Sequence, residues 1–402
     1  MSATSGITVT PWGTPRVLAL GAFLKNRACV WEGIGQDMGE ARWSVMHDDL
    51  GDPVACAALE RTVQGWLGDA GGRAPDALAH DLHPDFYSTR LAQDVAHTLG
   101  VPAIGVQHHH AHVAAVMAAQ GLTGPVIGLA LDGFGLGSDG QPWGGELLWV
   151  QDHRWRRLNH LSLLAMPGGD RAAREPWRMA LAWNETAGRH DDVLAQAVGT
   201  GRYRAMQNVL RKGLNSPLTS SAGRWFDTMA GLLGLCQEQQ DEAQAAIALE
   251  AAASQWLQVQ PQVAQDRHDA WAQGDVLDVH ALVAQALSHR VAGGDAGEAA
   301  AVFHLGLADG LALHAERQAR ATGVRDVCLC GGCFFNRLLR ERVQQRLQES
   351  GLRTWIVGEA SHGDAHLAIG QAWVAAAWLR ARGEVALTDD GESFFRCDPM
   401  EN

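Results

Sequence analysis

Two hydrophobic periods alternate along the chain. Short apolar runs that close on glycine, aspartate or proline read as buried strands, and longer stretches with apolar residues three and four apart read as helices. Residues 17–22 (VLALGA), 77–80, 101–106 and 126–135 predict strands, and 28–31 predicts a hairpin partner after a turn at Lys25-Asn26. Residues 146–151 and 155–161 predict a β-hairpin. Leu59, Val63, Trp66 and Leu67 share one helical face, residues 90–99 form another helix, and a further helix starts at His108. Residues 173–322 are mostly helical, notably 220–235, 241–253 and 301–319, with an exposed polar loop expected at 267–278. A strand at 326–330, a Gly331-Gly332 turn, a helix at 334–348, a strand at 354–357 and a long apolar helix after Asp364 complete the chain. Alternating strands and helices imply α/β layers. Strand–glycine turns at LALGA, LALDGFG and VCLCGGC suggest two similar α/β lobes facing a nucleotide. The expected division is an N-terminal α/β lobe over 1–165, a mostly helical region over 166–322, and a part over 323–402 that completes the second lobe.

Within this frame the stretch VQHHHAHVAAVMAAQGLTGPVIGLALDGFG concentrates the chemistry. His108, His109, His110 and His112 crowd one helix start. His108 and His112, four apart, lie on one face and can hold one ion, while His109 and His110 point elsewhere. Such a pair is also often structural. Asp132 sits where a buried strand delivers side chains to ligands, or it marks a simple turn. The Gly168-Gly169-Asp170 loop can offer backbone N–H groups to an anion, or Asp170 can cap the helix expected near Ala172. Asp227 and Glu242 read equally as solvent-facing helix charges. Cys328, Cys330 and Cys333 lack the second CxxC pair of a structural zinc site, which favours a buried strand entering a glycine turn.

Composition narrows the class. A chain of 402 residues with 47% hydrophobic content can bury two or three sizeable cores. The net charge of −13 argues against a DNA- or tRNA-binding surface. The N-terminus has no signal-like pattern and no apolar run of membrane-spanning length is evident, so no membrane contact is expected. Seven scattered cysteines fit a reducing cytoplasm.

VQHHHAH, LALDGFGLGSDGQPWGGE, PGGDRAAREPWRMAL, TSSAGRWFDTMAGLLGL, CGGCFFNRLL, AHDLHPDFYSTRLA and LALGAFLKN together resemble the C-terminal, TsaD-like domain of the HypF-type carbamoyltransferases of nickel–iron hydrogenase maturation. The resemblance implies the two-lobed sugar kinase/Hsp70/actin-like fold, with ribonuclease H-like lobes and a helical insertion. It implies a divalent metal, Fe or Zn, held by His108, His112, Asp132 and Asp364, with His109 and Lys25 as further catalytic candidates. Gly168, Gly169, Asp170, Asp227, Glu242, Gly331, Gly332 and Asn336 map to the site for ATP or carbamoyl-adenylate. The implied reaction carries a carbamoyl group from carbamoyl phosphate toward the C-terminal cysteine of HypE, for the cyanide ligands of the hydrogenase. A stand-alone carbamoyl phosphate hydrolase and a HypE-docking scaffold are the rival readings. The acylphosphatase, zinc-finger and YrdC-like domains of long HypF proteins have no counterpart in the sequence, so the chain is expected to receive carbamoyl-adenylate or to use carbamoyl phosphate itself. Phe134-Gly135-Leu136, Cys330-Gly331-Gly332-Cys333 and Asp241-Glu242-Ala243-Gln244 depart from the family pattern, whereas the four metal candidates persist.

Overall fold

The chain runs β1 (Arg16–Ala19), β2 (Cys29–Ile34), β3 (Met38–Trp43), α1 (Pro53–Gly68), β4 (Ala77–Asp81), α2 (Tyr87–Leu99), β5 (Ala103–Val106) and α3 (His108–Gln120). It continues through β6 (Val126–Leu136), β7 (Pro142–Gln151), β8 (Arg154–His160), β9 (Leu164–Ala165), α4 (Pro176–Thr186), α5 (Asp192–Val198), α6 (Thr200–Arg211) and β10 (Leu218–Thr219). Then come α7 (Ala222–Leu232), α8 (Gln244–Val259), α9 (Val279–Val291), α10 (Ala296–Thr322), β11 (Asp326–Cys330), α11 (Arg337–Glu349), β12 (Arg353–Trp355), α12 (Leu367–Arg382) and β13 (Phe394–Arg396). This computed structural model describes residues 15–34, 38–68, 73–265, 268–274, 277–291, 295–358, 363–382 and 394–396. The N-terminal stretch read for a signal pattern lies outside the described residues.

Contacts gather the chain into two units, one of residues 1–125, 150–156 and 363–402, the other of 126–149 and 157–362. This differs from the expected division at 165 and 322, because α12 packs on α3 and β4 and so joins the first unit. The first unit's sheet has the order β13-β5-β4-β1-β2-β3. β1, β2 and β3 pair antiparallel, and β4 and β5 follow parallel on the other side of β1. All five residues of β4 are buried, as a central parallel strand covered on both faces requires. Leu18, Leu20, Leu59, Val63 and Leu78 form its core.

The second unit's sheet has the order β12-β11-β6-β7-β8. Counting strands within each sheet, both place the third, second and first strands side by side, then the fourth and fifth. The duplication expected from the glycine turns is therefore a duplication of topology, and the fold is of the expected α/β class. β6 does not stop at Asp132 but runs on to Leu136. Its residues 126–131 are buried, and from Asp132 onward the strand is half-buried except at Gly135.

α10 is the one helix among the described residues long and apolar enough to cross a membrane. Most of it is buried inside the second unit, and it carries a fully buried Asp309 bound by Arg342 and Arg346. Of the loop expected to be exposed at 267–278, residues 268–272 instead pack on this helix. The Trp271 indole N–H donates to Gly306 O at 3.0 Å, the His268 N–H donates to Asp309 at 2.8 Å, and Ala272 and Leu277 are buried. Glycines on α10 make the room: a Cβ at Gly310 would lie 2.3 Å from the Trp271 ring.

His304 of α10 is buried, with Nδ1 donating to Ala300 O at 2.7 Å and Nε2 facing the Asn336 amide at 2.9 Å. Burial lowers its pKa to about 4. An unfolded histidine takes a proton near 6.5, so the unfolded chain binds more protons between these values. The contribution is present above pH 6.5 and is lost as pH falls toward 4. The loss amounts to roughly 3 kcal/mol at most. His304→Gln, whose amide oxygen still accepts from Asn336, should flatten the fall in urea midpoint between pH 7 and pH 4.5. An equally steep fall in the variant would refute this.

Candidate functional site

α3 begins where β5 ends. Gln107 caps it, with its side-chain oxygen accepting from the His110 N–H at 2.8 Å. The first turn carries the histidines, all four buried. His108 Nδ1 contacts Asp81 Oδ2 at 2.7 Å, at the end of β4. This fixes the ring and turns Nε2 toward Asp364, 3.7 Å away, while His112 Nε2 lies 3.4 Å from the same Asp364 oxygen. Ligand atoms of His108, His112 and Asp364 all lie within 4.8 Å of one another. Asp364 opens a 3-10 turn, Asp364–His366, directly before α12, and its side chain is 18% exposed. Two imidazole nitrogens and a solvent-reachable carboxylate are a donor set for a divalent iron- or zinc-class ion. Burial alone would raise the Asp81 pKa, but the charge and hydrogen bond of His108 hold it below the usual carboxylate range. A carboxylate behind a ligating histidine sets its tautomer and sharpens its basicity.

Asp81 was not among the residues singled out by the sequence, although it stands in AHDLHPD. His109 is fully buried, with Nδ1 at 3.1 Å from the Gln107 amide and its ring 5.3 Å from that of His108. His110 meets Asp152 O at 3.1 Å, and burial lowers its pKa to about 4. Lys25 is exposed in the loop between β1 and β2, with φ +46°.

In the second unit, Asp132 Oδ1 accepts from the Gly133 N–H at 2.7 Å and faces the Gly332 N–H at 3.4 Å. Ser221, which caps α7, donates from its hydroxyl toward Asp132 O (2.9 Å) and Gly133 O (2.8 Å). Gly331 has φ +91°, and a Cβ there would lie 2.3 Å from Leu131 O, so this turn accepts only glycine. Cys328 and Cys330 are buried in β11, and their thiols are held well above the usual range by burial. The six cysteines among the described residues form no disulfide.

Several nucleotide candidates behave differently from expectation. Gly168 donates its N–H to Asn215 O at 2.8 Å and Gly169 donates to Met166 O at 3.0 Å, so neither is turned toward an anion. Asp170 is exposed inside the 3-10 turn Gly169–Ala173 and makes no cap; Gly168 is the capping position, and the following helix starts at Pro176 rather than near Ala172. Asp227 is buried, not solvent-facing, and pairs with Arg224 at 2.7 Å. Burial raises its pKa to about 6, against the opposing pull of Arg224. Glu242 is exposed just before α8. Asn336 caps α11, accepting from the Leu339 N–H at 3.0 Å, while its amide nitrogen faces His304.

Gln239, which the sequence reading passed over, joins three of these segments. Its Nε2 donates to Ala173 O at 2.6 Å and to Asp227 Oδ1 at 3.1 Å, and its Oε1 accepts from the Ala245 N–H at 2.9 Å. Glu175 anchors the neighbouring turn by gathering Arg171, Arg178 and Arg202. Burial would raise its pKa, but these guanidinium groups bring it down to about 2.

Comparison with known proteins finds relatives along nearly the whole chain. Two family models match: the HypF Kae1-like domain over residues 13–119, and the second subdomain of the carbamoyltransferase Kae1-like domain over 128–371. A carbamoyltransferase HypF homolog of Cupriavidus necator is 50% identical over 365 residues, covering 90% of this chain and 91% of its own. The carbamoyltransferase HypF of Rhizobium leguminosarum bv. viciae is 39% identical over 89% of this chain but only 44% of its own. A crystal structure of full-length HypF in its phosphate- and nucleotide-bound form superposes with a TM-score of 0.79 at 28% identity, covering 93% of this chain and 57% of that one. HypF of T. kodakarensis gives the same TM-score over 92% of this chain and 49% of its own. The chain thus spans nearly all of the first relative and about half of the longer ones.

Proposed function

The chain belongs to the HypF carbamoyltransferase family, and from that premise we propose that it is a metal-dependent cytoplasmic enzyme that moves a carbamoyl group from carbamoyl phosphate, or from carbamoyl-adenylate, to the C-terminal cysteine of HypE. The observation that carries the reading is the buried His108–His112 pair facing Asp364, with Asp81 behind His108. We assign Asp132 to the same ion on the family resemblance. A divalent ion bound there supplies Lewis-acid polarisation of carbamoyl and phosphate oxygens. His108, His112, Asp132 and Asp364 would hold it, Asp81 would keep His108 protonated on Nδ1, and His109 would back the His108 ring. Lys25 would neutralise the phosphate of the donor. The thiolate sulfur of the acceptor attacks the carbamoyl carbon, a C–S bond forms as the C–O bond to phosphate or adenylate breaks, and the thiol proton leaves to solvent.

Adenine nucleotide would lie by the Gly331-Gly332 turn, with Asp227, Glu242, Asn336 and the Gly168-Gly169-Asp170 segment around it. The nucleotide-bound HypF structure and the Gln239 tie between these segments support this placement. The test is phosphate release from carbamoyl phosphate by the purified protein, with and without ATP and HypE, alongside mass spectrometry of HypE. A carbamoyl adduct on the HypE cysteine is expected, in which CONH2 replaces the thiol hydrogen and adds about 43 Da by the stoichiometry of acyl transfer. Phosphate release without any adduct would instead identify a hydrolase. Neither product from metal-replete protein would leave the docking scaffold.

A further inference from the structure

The loop of residues 20–26 rests on an unusual foundation. Lys25 adopts a left-handed backbone, φ +46°, a conformation that glycine or asparagine fills by default. Beside it lies Asn26, with no exposed surface. The Asn26 amide nitrogen donates to Leu20 O and to Ala22 O, each at 2.7 Å, so its orientation is fixed. Its oxygen must then accept, and His47 Nδ1 stands 2.9 Å away. In the neutral ring this places the proton on Nδ1 and leaves Nε2 to accept from the Thr62 hydroxyl at 2.8 Å. Thr62, His47, Asn26 and two loop carbonyls thus form one directional chain.

The backbone is pinned beside it. Asn26 N–H donates to Asp48 O and His47 N–H to Asn26 O, both at 2.8 Å. From the other side Gln371 of α12 grips Gly21 twice, its oxygen accepting from the Gly21 N–H at 3.0 Å and its nitrogen donating to Gly21 O at 3.4 Å. A Cβ at Gly21 would lie 2.3 Å from Arg27 O, so the loop is closed too tightly for another residue there.

Buried polar groups cost desolvation, and fully satisfied networks of them specify one geometry. Here such a network underlies an exposed lysine in a strained conformation, the combination found where a side chain is pre-organised for use. We propose that Asn26, His47 and Thr62 are positioning residues whose hydrogen-bonded chain holds Lys25 left-handed so that its ammonium anchors the phosphate of the carbamoyl donor. This rests on the reading of Lys25 as an anion-binding group.

The test is calorimetric binding of inorganic phosphate and of carbamoyl phosphate to the full chain. Lys25→Gly relieves the backbone strain while removing the charge; it should raise the melting temperature and weaken phosphate binding about tenfold. Thr62→Val, which removes only the far end of the chain of bonds, should weaken binding about threefold while the protein stays folded. His47→Gln, which keeps a donor for Asn26, should fall between Thr62→Val and wild type. In the Lys25→Gly background, Thr62→Val should add nothing, because the two act through one ammonium. Unchanged binding in Lys25→Gly would remove the reading of Lys25 and the inference with it. A weakened Lys25→Gly with unaffected Thr62→Val, or effects that simply add, would overturn the positioning role alone.

Discussion

In the His108→Ala and His112→Ala proteins, bound metal and turnover of carbamoyl phosphate are expected to disappear together. Each substitution removes one of two imidazole donors that face Asp364 from adjacent turns of α3. No neighbouring described group replaces it at the same spacing, since His109 and His110 are engaged with Gln107 and Asp152. Asp81→Asn is the graded companion. It preserves an oxygen for His108 Nδ1 but removes the charge, and should cost about 10–100-fold in metal affinity without unfolding the chain. Metal content by mass spectrometry and affinity by chelator competition give a readout separate from turnover. Full metal occupancy in His112→Ala would end the metal assignment.

Gly370→Ala should be nearly as damaging, though it touches no ligand. Gly370 lies in α12 where that helix meets α3, and a Cβ there would sit 1.8 Å from Ala111 O and 2.9 Å from Ala115 N. Both neighbours are backbone atoms of a buried helix, so no side chain can swing away. Overpacking of this kind costs about 1–3 kcal/mol or more, which for a cooperative chain of 402 residues corresponds to a melting temperature lower by roughly 1–4 °C or more. The helices that must part carry Asp364 on one side and the histidines on the other, so metal affinity should fall as well. Gly65→Ala, in α1 with nothing within 4 Å, is the control and should be neutral or slightly stabilising. Equal melting temperatures for Gly370→Ala and wild type would show that α12 is not packed as described.

The parts of the fold legible in the sequence were those with local signatures. The spacing of His108 and His112 announces a shared helical face, and apolar runs such as VLALGA announce buried strands. Asp364 has no such local signal: it lies far along the chain from the histidines, and only the family resemblance associated it with them. Asp81 stayed hidden because an aspartate closing a strand resembles any turn residue until its partner is known. The Gly169 N–H is taken by Met166 and the Gly168 N–H by Asn215, a pairing distant enough in sequence that no local pattern announces it, and at Asp227 helical charge patterning gives no warning of burial. The polar look of residues 267–278 concealed Trp271, whose packing depends on glycines of α10 distant in sequence.

The first unit is assembled from both ends of the chain, with β1 near its start and α12 near its close. That order has a consequence for biogenesis. Residues 126–149 and 157–362 can gather their core while synthesis continues, but β1, β4 and α3 lack their α12 covering until that helix emerges. Closing so long a loop is entropically costly and slows the step that depends on it. The histidines of α3 therefore leave the ribosome long before Asp364, and the cluster they form with it can assemble only once that later segment has emerged. Nascent chains that end before this segment would present at most the histidine pair, without the Asp364 carboxylate that faces it.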